Sequence, residues 1–277
     1  VPEGDAVWRT ARRLHTALAG SALAGADLRV PALATRDLAG RRTLEVVPRG
    51  KHLLHRLEGG LTLHSHLRMD GSWRLLTVTT GAGVTPDHPA TRRHTVRAVL
   101  WTDSALAVGD SLGMLDLVRT ADEARVVGHL GPDLLDLAFD RDEALSNLVR
   151  QPGRPVAEAL LDQRNLAGIG TIYASEPLFE HRISPWTPVG ALSRHELGSV
   201  VDTARLWMVR SCRLGPTVPM TALARGPADG WLPGHYRVFG RRGRDCPRCG
   251  ATITEQPIGE APRERVISFC PTCQPTP

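Results

Sequence analysis

Lysine is almost absent from this chain. Lys51 is the only one, and arginine supplies all the rest of the 34 Lys and Arg side chains. An arginine bias of this kind marks a GC-rich genome as much as it marks a function. Aromatic residues are scarce too, with four Phe, two Tyr and six Trp in 277 residues. No run comes near the ~18 consecutive apolar residues of a spanning helix, and the N-terminus lacks a basic-then-apolar signal pattern. These absences exclude a membrane-spanning helix and give a cytoplasmic location as the expectation. Cysteine is missing from most of the chain: Cys212 stands alone, and the other four of the five lie in the last 32 residues. In a reducing compartment such clustering favours metal ligands over disulfides.

What is present bounds the answer further. An apolar fraction of 42% supports real cores and excludes a disordered chain. The length exceeds that of a usual single domain, so two domains, or two plus a small appendage, are expected. A net charge of +5 is only a weak pointer to phosphate-bearing partners, since most of these arginines read as solvated surface.

Pro2 to Ala19 reads as a helix, with Val7, Trp8, Ala11, Leu14 and Leu18 at helical spacing. From about Leu28 to Val108 the texture is β-type: Leu44–Val47, His52–Leu57, Leu61–Leu67, Ser72–Val78, Val96–Trp101 and Ala105–Val108. Gly59-Gly60 marks a tight hairpin, and a sandwich or barrel fits this half. The Thr79–Pro89 stretch reads as a surface loop. After about Leu115 the pattern turns helical, with Arg141–Arg150, Val156–Asp162, Tyr173–Glu180 and Ser193–Ser211 as candidates. Ser193 and Glu196 form a capping-box pattern for the last. Gly215–Leu232 reads as a flexible loop.

Cys246-Pro-Arg-Cys249 and Cys270-Pro-Thr-Cys273 are the strongest local signal. Two such pairs on short turns can close a tetrahedral four-sulfur zinc site, with the intervening residues forming a β-hairpin. Four thiolates leave no open position, so the single ion is expected to be structural. A pair of disulfides is the alternative, and spacing and compartment weigh against it. Arg263 and Arg265 fall in the hairpin, where each is either a phosphate contact or a solvated side chain.

Leu161-Asp-Gln163 to Gly168-Ile-Gly170-Thr171 reads as helix, compact turn, helix, a geometry that aims backbone N–H groups at an anion. An ordinary helical hairpin would look the same. Pro2-Glu3-Gly4, by itself, is a helix start with an acid at the positive end of the dipole. Val1 is unusual as a first residue. A GTG start codon read as Met, followed by removal of that Met, would leave Pro2 with a free secondary amine, which is a usable nucleophile.

Three of these sites agree with one family, and six stretches match in its order: Pro2-Glu3-Gly4, Arg49-Gly50-Lys51, His66-Leu-Arg-Met69-Asp-Gly71, His129-Leu-Gly-Pro-Asp133, Leu161-Asp-Gln163 through Gly170, and the cysteine module with Arg265. The chain resembles the formamidopyrimidine-DNA glycosylase / endonuclease VIII family of base-excision repair, in its actinobacterial endonuclease VIII-like branch. The resemblance implies an α+β multidomain protein. Its parts would be an N-terminal β-sandwich with flanking helix over 1–117, a helical domain with a helix–two-turns–helix motif over 118–234, and a β-hairpin zinc finger over 235–277. Damaged DNA would lie in the cleft between, bound by a monomer.

The resemblance also implies roles. Pro2 would attack C1′ of a flipped nucleotide, Glu3 would protonate the sugar ring oxygen, and Lys51, on its β-strand, would contact phosphate and assist. Arg265 at the finger tip would hold phosphates flanking the lesion, with Arg263 near it. Gly170 and Thr171 would bind phosphate, and Met69 would fill the gap left by the flipped base. Arg68 and His129 occupy positions used for DNA contact in relatives.

The departures narrow the substrate. Thr171 stands where the family usually has a phosphate-binding Asn, and Ala6, beside Asp5, where it has a Glu. The Arg and Phe that probe the opposite base in 8-oxoguanine enzymes are missing, with Asp110-Ser-Leu-Gly113 in their region. Oxidised pyrimidines are therefore the expected lesions. An oxidised-purine enzyme and a non-catalytic DNA-binding paralogue are the alternatives; a generic zinc-ribbon protein accounts only for the C-terminal residues. Lesion range is expected to depend on loops such as Thr221–Leu232. His52, His55, His64 and His66 are read as solvent-facing strand residues rather than a metal site. Cys212 is read as a small buried hydrophobe, and Trp8 and Trp73 as core.

Overall fold

The computed structural model describes residues 2–77, 87–214, 235–262 and 264–276. Residues 1, 78–86, 215–234, 263 and 277 lie outside the described residues, and with them most of the Thr79–Pro89 stretch and all of the Gly215–Leu232 stretch that were expected to be loops. The chain divides into two compact units, Val1–His129 and Leu130–Pro277. Among the described residues, no helix is long and apolar enough to cross a membrane.

The first unit opens with α1 (Gly4–Leu18), whose buried stripe of Val7, Ala11, Leu14 and Leu18 is the one its helical spacing predicts. Eight strands follow: β1 (Gly25–Leu28), β2 (Thr43–Arg49), β3 (His52–Leu57), β4 (Leu61–His66), β5 (Ser72–Thr77), β6 (Val96–Trp101), β7 (Ala105–Asp110) and β8 (Met114–Arg119). They form two antiparallel four-stranded sheets, in orders β1-β6-β7-β5 and β2-β3-β4-β8. Leu53, Leu57 and Leu63 of one sheet meet Trp73, Ala98 and Ala107 of the other, and α1 closes the same core with Val7, Leu14 and Leu18. This is the expected sandwich with its flanking helix. Alternating inward residues from facing sheets bury such a core.

Two strands were not expected. β1 is only four residues long. Met114–Arg119 falls where a helical pattern was expected to begin, yet it pairs with β4 from His66↔Met114 to Leu61↔Arg119. Asp116 interrupts its apolar run, and as an edge strand β8 needs little hydrophobic alternation.

The second unit, beyond the short α2 (Ala124–Val127) of the first, contains α3 (Arg141–Leu148), α4 (Val156–Leu161), α5 (Thr171–Glu180) and α6 (Arg194–Leu214), then β9 (Thr254–Ile258) and β10 (Arg265–Phe269). The four helices lie within a few residues of their predicted spans, the usual scatter of helix ends. Ser193 caps α6 as expected: its N–H donates to Glu196 Oε2 at 2.8 Å, and its Oγ accepts from Glu196 N at 3.2 Å. Leu160, Tyr173, Val200 and Trp207 share one core with Ile258 and Ile267 of the hairpin, so helices and hairpin fold as one body.

Candidate active site and nucleic-acid interface

Helix α1 begins at Gly4, and Glu3 takes the N-cap position with extended backbone (φ −112°). Pro2 is half-buried, and Glu3 is only 1% exposed. A carboxylate at the positive end of a helix is favourably placed electrostatically, whatever else it does. Asp5 is also buried and binds Arg9 Nη1 at 2.9 Å, an i,i+4 ion pair along the helix.

Lys51 is not on a strand. Arg49 pairs with His52, leaving Gly50 and Lys51 as a two-residue hairpin turn between β2 and β3. Gly50 has φ +56°, the left-handed first turn position that favours glycine. The only lysine therefore sits at a hairpin tip.

The strand histidines do not face solvent, contrary to the sequence reading. His52, His55 and His64 are buried and His66 is half-buried. His52 on β3 faces His66 on β4, His64 lies diagonally, and His64 faces Asp116 on β8. Side chains follow that register. His52 Nδ1 lies 2.7 Å from His64 Nε2, and His64 Nδ1 lies 3.1 Å from Asp116 Oδ2. The His52 ring stacks on His64 at 5.0 Å, meets His66 edge-on at 4.8 Å, and has the exposed His129 at 6.0 Å. His55 stands apart, its Nε2 2.9 Å from Thr43 Oγ1.

Burial pushes His52 down to about 3, assisted by the charges of His66, His64, His129 and Lys51. His66 is lowered to about 4, first by burial and then by Lys51, and His55 to about 4 by burial alone. Burial also lowers His64, although Asp116 pulls it the other way. These rings are neutral at pH 7. The 2.7 Å contact between His52 and His64 is a hydrogen-bond separation; among the described residues the group whose spacing could hold a metal ion is the cysteine cluster.

The register could have revealed this cluster from sequence. Once Leu57 faces Leu61 across the glycine turn, His52 must face His66, with His64 two residues along the same face. The burial of that face is what the alternation of His64 and His66 could not show.

The β4–β5 turn presents Met69, which is 60% exposed, and Arg68, which adopts φ +51°. A Cβ on Gly113 would come within 2.4 Å of the Arg68 side chain, so glycine is what lets Arg68 lie across the β7–β8 turn.

In the second unit, Gln163 staples the two-turn segment between α4 and α5. Its Nε2 donates to Leu161 O and Ile169 O at 2.9 Å, and its Oε1 accepts from Gly168 N at 3.0 Å. Gly168 has φ +103°, and Gly170 caps α5, with Thr171 as its first residue. The signal read as helix, turn, helix is therefore a built turn rather than a loose joint.

The four cysteines come together, with all Sγ atoms within 4.8 Å of one another. Cys246 Sγ lies 4.0 Å from Cys273 Sγ, and Cys249 Sγ 3.5 Å from Cys270 Sγ. These separations are too long for disulfides and bracket the ~3.8 Å edge of a tetrahedron with ~2.3 Å zinc–sulfur bonds. Backbone N–H groups of Arg248 and Cys273 point at Cys246 and Cys270 sulfur at 3.4 Å. The donor set fits a metal ion. β9 and β10 form the expected hairpin between the two pairs, with Arg265 exposed as the first residue of β10, opposite Ile258.

The sequence reading missed the anchor of this module. Glu176 of α5, fully buried, accepts from the backbone N–H groups of Arg237, Val238 and Phe239 at 2.8–3.1 Å. Burial pushes its carboxyl up, and those three N–H groups oppose the shift. Cys212 is half-buried rather than buried, and Trp8 is half-buried under the Arg12 guanidinium at 5.6 Å; Trp73 is core as expected.

A β-sandwich preceded by a Pro-Glu helix start, together with a two-turn helical motif joined to a cysteine hairpin, defines a class of DNA-repair glycosylases. Residues 1–114 match the formamidopyrimidine-DNA glycosylase N-terminal domain, and residues 130–219 match the formamidopyrimidine-DNA glycosylase H2TH domain. The chain is 47% identical to "Probable endonuclease 8 2" of Streptomyces coelicolor, over 100% of this chain and 95% of that protein. It is 40% identical to "DNA-(apurinic or apyrimidinic site) lyase Nei2" of Mycolicibacterium smegmatis, over 99% of both. The crystal structure of the MutM (Fpg) protein from Thermus thermophilus superposes with a TM-score of 0.75, at 32% identity over 99% of this chain and 98% of that one. The chain belongs to the formamidopyrimidine-DNA glycosylase / endonuclease VIII family, among relatives of the actinobacterial endonuclease 8 type.

Proposed function

We propose that this chain is a bifunctional DNA glycosylase and AP lyase of base-excision repair, acting on oxidised pyrimidines and on abasic sites. The observation that carries the reading is the start of α1: a proline followed by a buried carboxylate, in a chain that matches the family along its whole length.

With residue 1 removed, the Pro2 nitrogen is a secondary amine. Free α-amines titrate near about 8, and the positive end of α1 disfavours the protonated form, so neutral amine is available at pH 7. Its attack on C1′ forms the N–C1′ bond as the C1′–base bond breaks, and the amine proton leaves with the departing base. Glu3 donates a proton to the ring oxygen, the C1′–O4′ bond breaks, and an iminium remains. Loss of a C2′ proton then expels the 3′ phosphate, and a second elimination expels the 5′ phosphate. Lys51 meets a phosphate from its hairpin tip.

DNA is held by the amide groups of Gly170 and Thr171 at the start of α5 and by Arg265, with Arg263 two residues before it in sequence. Arg68 and His129 contact the strand, and the exposed Met69 fills the space of the flipped base. Cys246, Cys249, Cys270 and Cys273 would hold one zinc ion, whose role is to fix the hairpin carrying Arg265. The end of β7 and the turn to β8, Asp110 to Gly113, carry neither Arg nor Phe, which supports pyrimidine lesions over 8-oxoguanine.

A lesion panel tests the reading. Duplexes carrying thymine glycol or dihydrouracil should be cleaved faster than 8-oxoguanine opposite cytosine. The reverse order would overturn the lesion class, and absence of cleavage on every lesion and on an abasic site would overturn the enzyme.

A further inference from the structure

Asp116, His64 and His52 run as an unbroken hydrogen-bonded chain across three adjacent strands. The chain has a defined polarity. An ionised carboxylate only accepts, so His64 Nδ1 carries the hydrogen and donates to Asp116. A neutral His64 then has a bare Nε2, which accepts from His52 Nδ1–H. His52 is left with Nε2 as a bare acceptor.

The two ends differ in exposure. Asp116 is 49% exposed while His64 is fully buried. At the other end His52 follows Lys51 in sequence and feels its charge, as does His66, and the exposed His129 is a ring neighbour. One terminus reaches water and the other lies beside the lysine placed in the reaction above.

We propose that Asp116–His64–His52 is a proton relay between the Lys51 side of the first unit and solvent, with His64 and Asp116 as positioning residues for the elimination chemistry. The proposal rests on the lyase reading. In each elimination a C2′–H or C4′–H bond breaks, its electron pair forms the new π bond, and a C–O bond breaks with its pair leaving on phosphate. The released proton adds to His52 Nε2 in one concerted shift along the chain, so that neither buried ring becomes a cation. His52 Nδ1–H passes to His64 Nε2, His64 Nδ1–H passes to the Asp116 carboxylate, and Asp116 yields the proton to water. The hop leaves both rings as Nε2–H tautomers, the arrangement that conducts inward, so a proton returned to the site resets the chain. The protonations of the glycosylase step require just such delivery.

The test is single-turnover cleavage of a pre-formed abasic-site duplex by the full chain, with borohydride trapping scored in parallel. Asp116→Asn keeps a hydrogen-bond acceptor for His64 but cannot take the proton, and as a half-exposed position it tolerates the change. Asp116→Asn and His64→Ala should still form the trapped adduct, while elimination slows roughly tenfold or more. Added imidazole should restore the rate of His64→Ala. Wild-type elimination rates in both variants would overturn the relay. So would a slowing that imidazole does not relieve and that parallels lost thermal stability. If the wild-type protein neither traps nor cleaves, the lyase reading fails first and the relay falls with it.

Discussion

Glu3 is nearly sealed from water at the N-cap of α1, and a buried carboxylate there has either a structural or a chemical task. The two are separable. Glu3→Gln keeps the size and hydrogen-bonding capacity but removes the donatable proton. We expect base release from a damaged duplex to fall about 10²- to 10⁴-fold, the range for loss of a general acid. Cleavage of a pre-formed abasic site should fall less, since its aldehyde form needs no ring opening. Equal losses in both assays would point to a structural role.

The histidines give a second residue-scale expectation. Unfolded rings titrate near 6.5, whereas His52 is held at about 3 and His55 and His66 at about 4. Below 6.5 the unfolded chain binds protons that the folded chain refuses. Stability is therefore full above 6.5 and is lost as pH falls toward 3–4. The melting temperature of the first unit should be lower at pH 5 than at pH 7.5, and His55→Gln should flatten that difference. A midpoint unchanged or higher at pH 5 would contradict the buried, neutral assignment. The register could have grouped these rings from the sequence, but the burial that keeps them neutral could not be read there, since strand histidines look alike whichever face they take.

At the scale of elements, legibility followed periodicity. The stripe of α1, the capping box of α6 and most strands of the sandwich announced themselves because their apolar spacing matches one burial face. β8 did not, because an edge strand with Asp116 in its middle has little to alternate. Lys51 was assigned to a strand since Gly50 gives no sign, without a register, of whether it starts a strand or turns a hairpin. Glu176 went unnoticed for a different reason: its partners are backbone N–H groups some 60 residues away, and backbone donors carry no sequence signature. Glu176→Ala would leave three N–H groups of the 237–239 segment without their acceptor. The expected cost is about 2–3 kcal/mol in denaturant unfolding, with Glu176→Gln losing less because one amide oxygen still accepts. Identical stability in both variants would show that water replaces the carboxylate.

For the whole molecule, the cysteine hairpin and the helices share a core, so the metal site bears on the body from 130 to 277. Stripping the ion with a chelator should accelerate amide exchange in β9, β10 and α5 together, while the sandwich core keeps its protection. Exchange that speeds up only between Cys246 and Cys273 would mean the hairpin is an independent appendage. The sequence gives the cysteine spacing plainly, but the sharing of Ile258 and Ile267 with the helical core is a tertiary fact. The family and its order of motifs were legible along the entire chain, since six short stretches in register are hard to produce otherwise. Which lesion the enzyme prefers is written in side chains that meet the base, and spacing does not display those.

The backbone nitrogen of Pro2 is the proposed nucleophile. Its most direct test is to trap the wild-type protein on an abasic-site duplex with borohydride, digest the adduct, and sequence the modified peptide by mass spectrometry. One adduct is expected, on the nitrogen of Pro2, in a chain lacking residue 1. An adduct on Lys51, or a trapped peptide that retains residue 1, would contradict it.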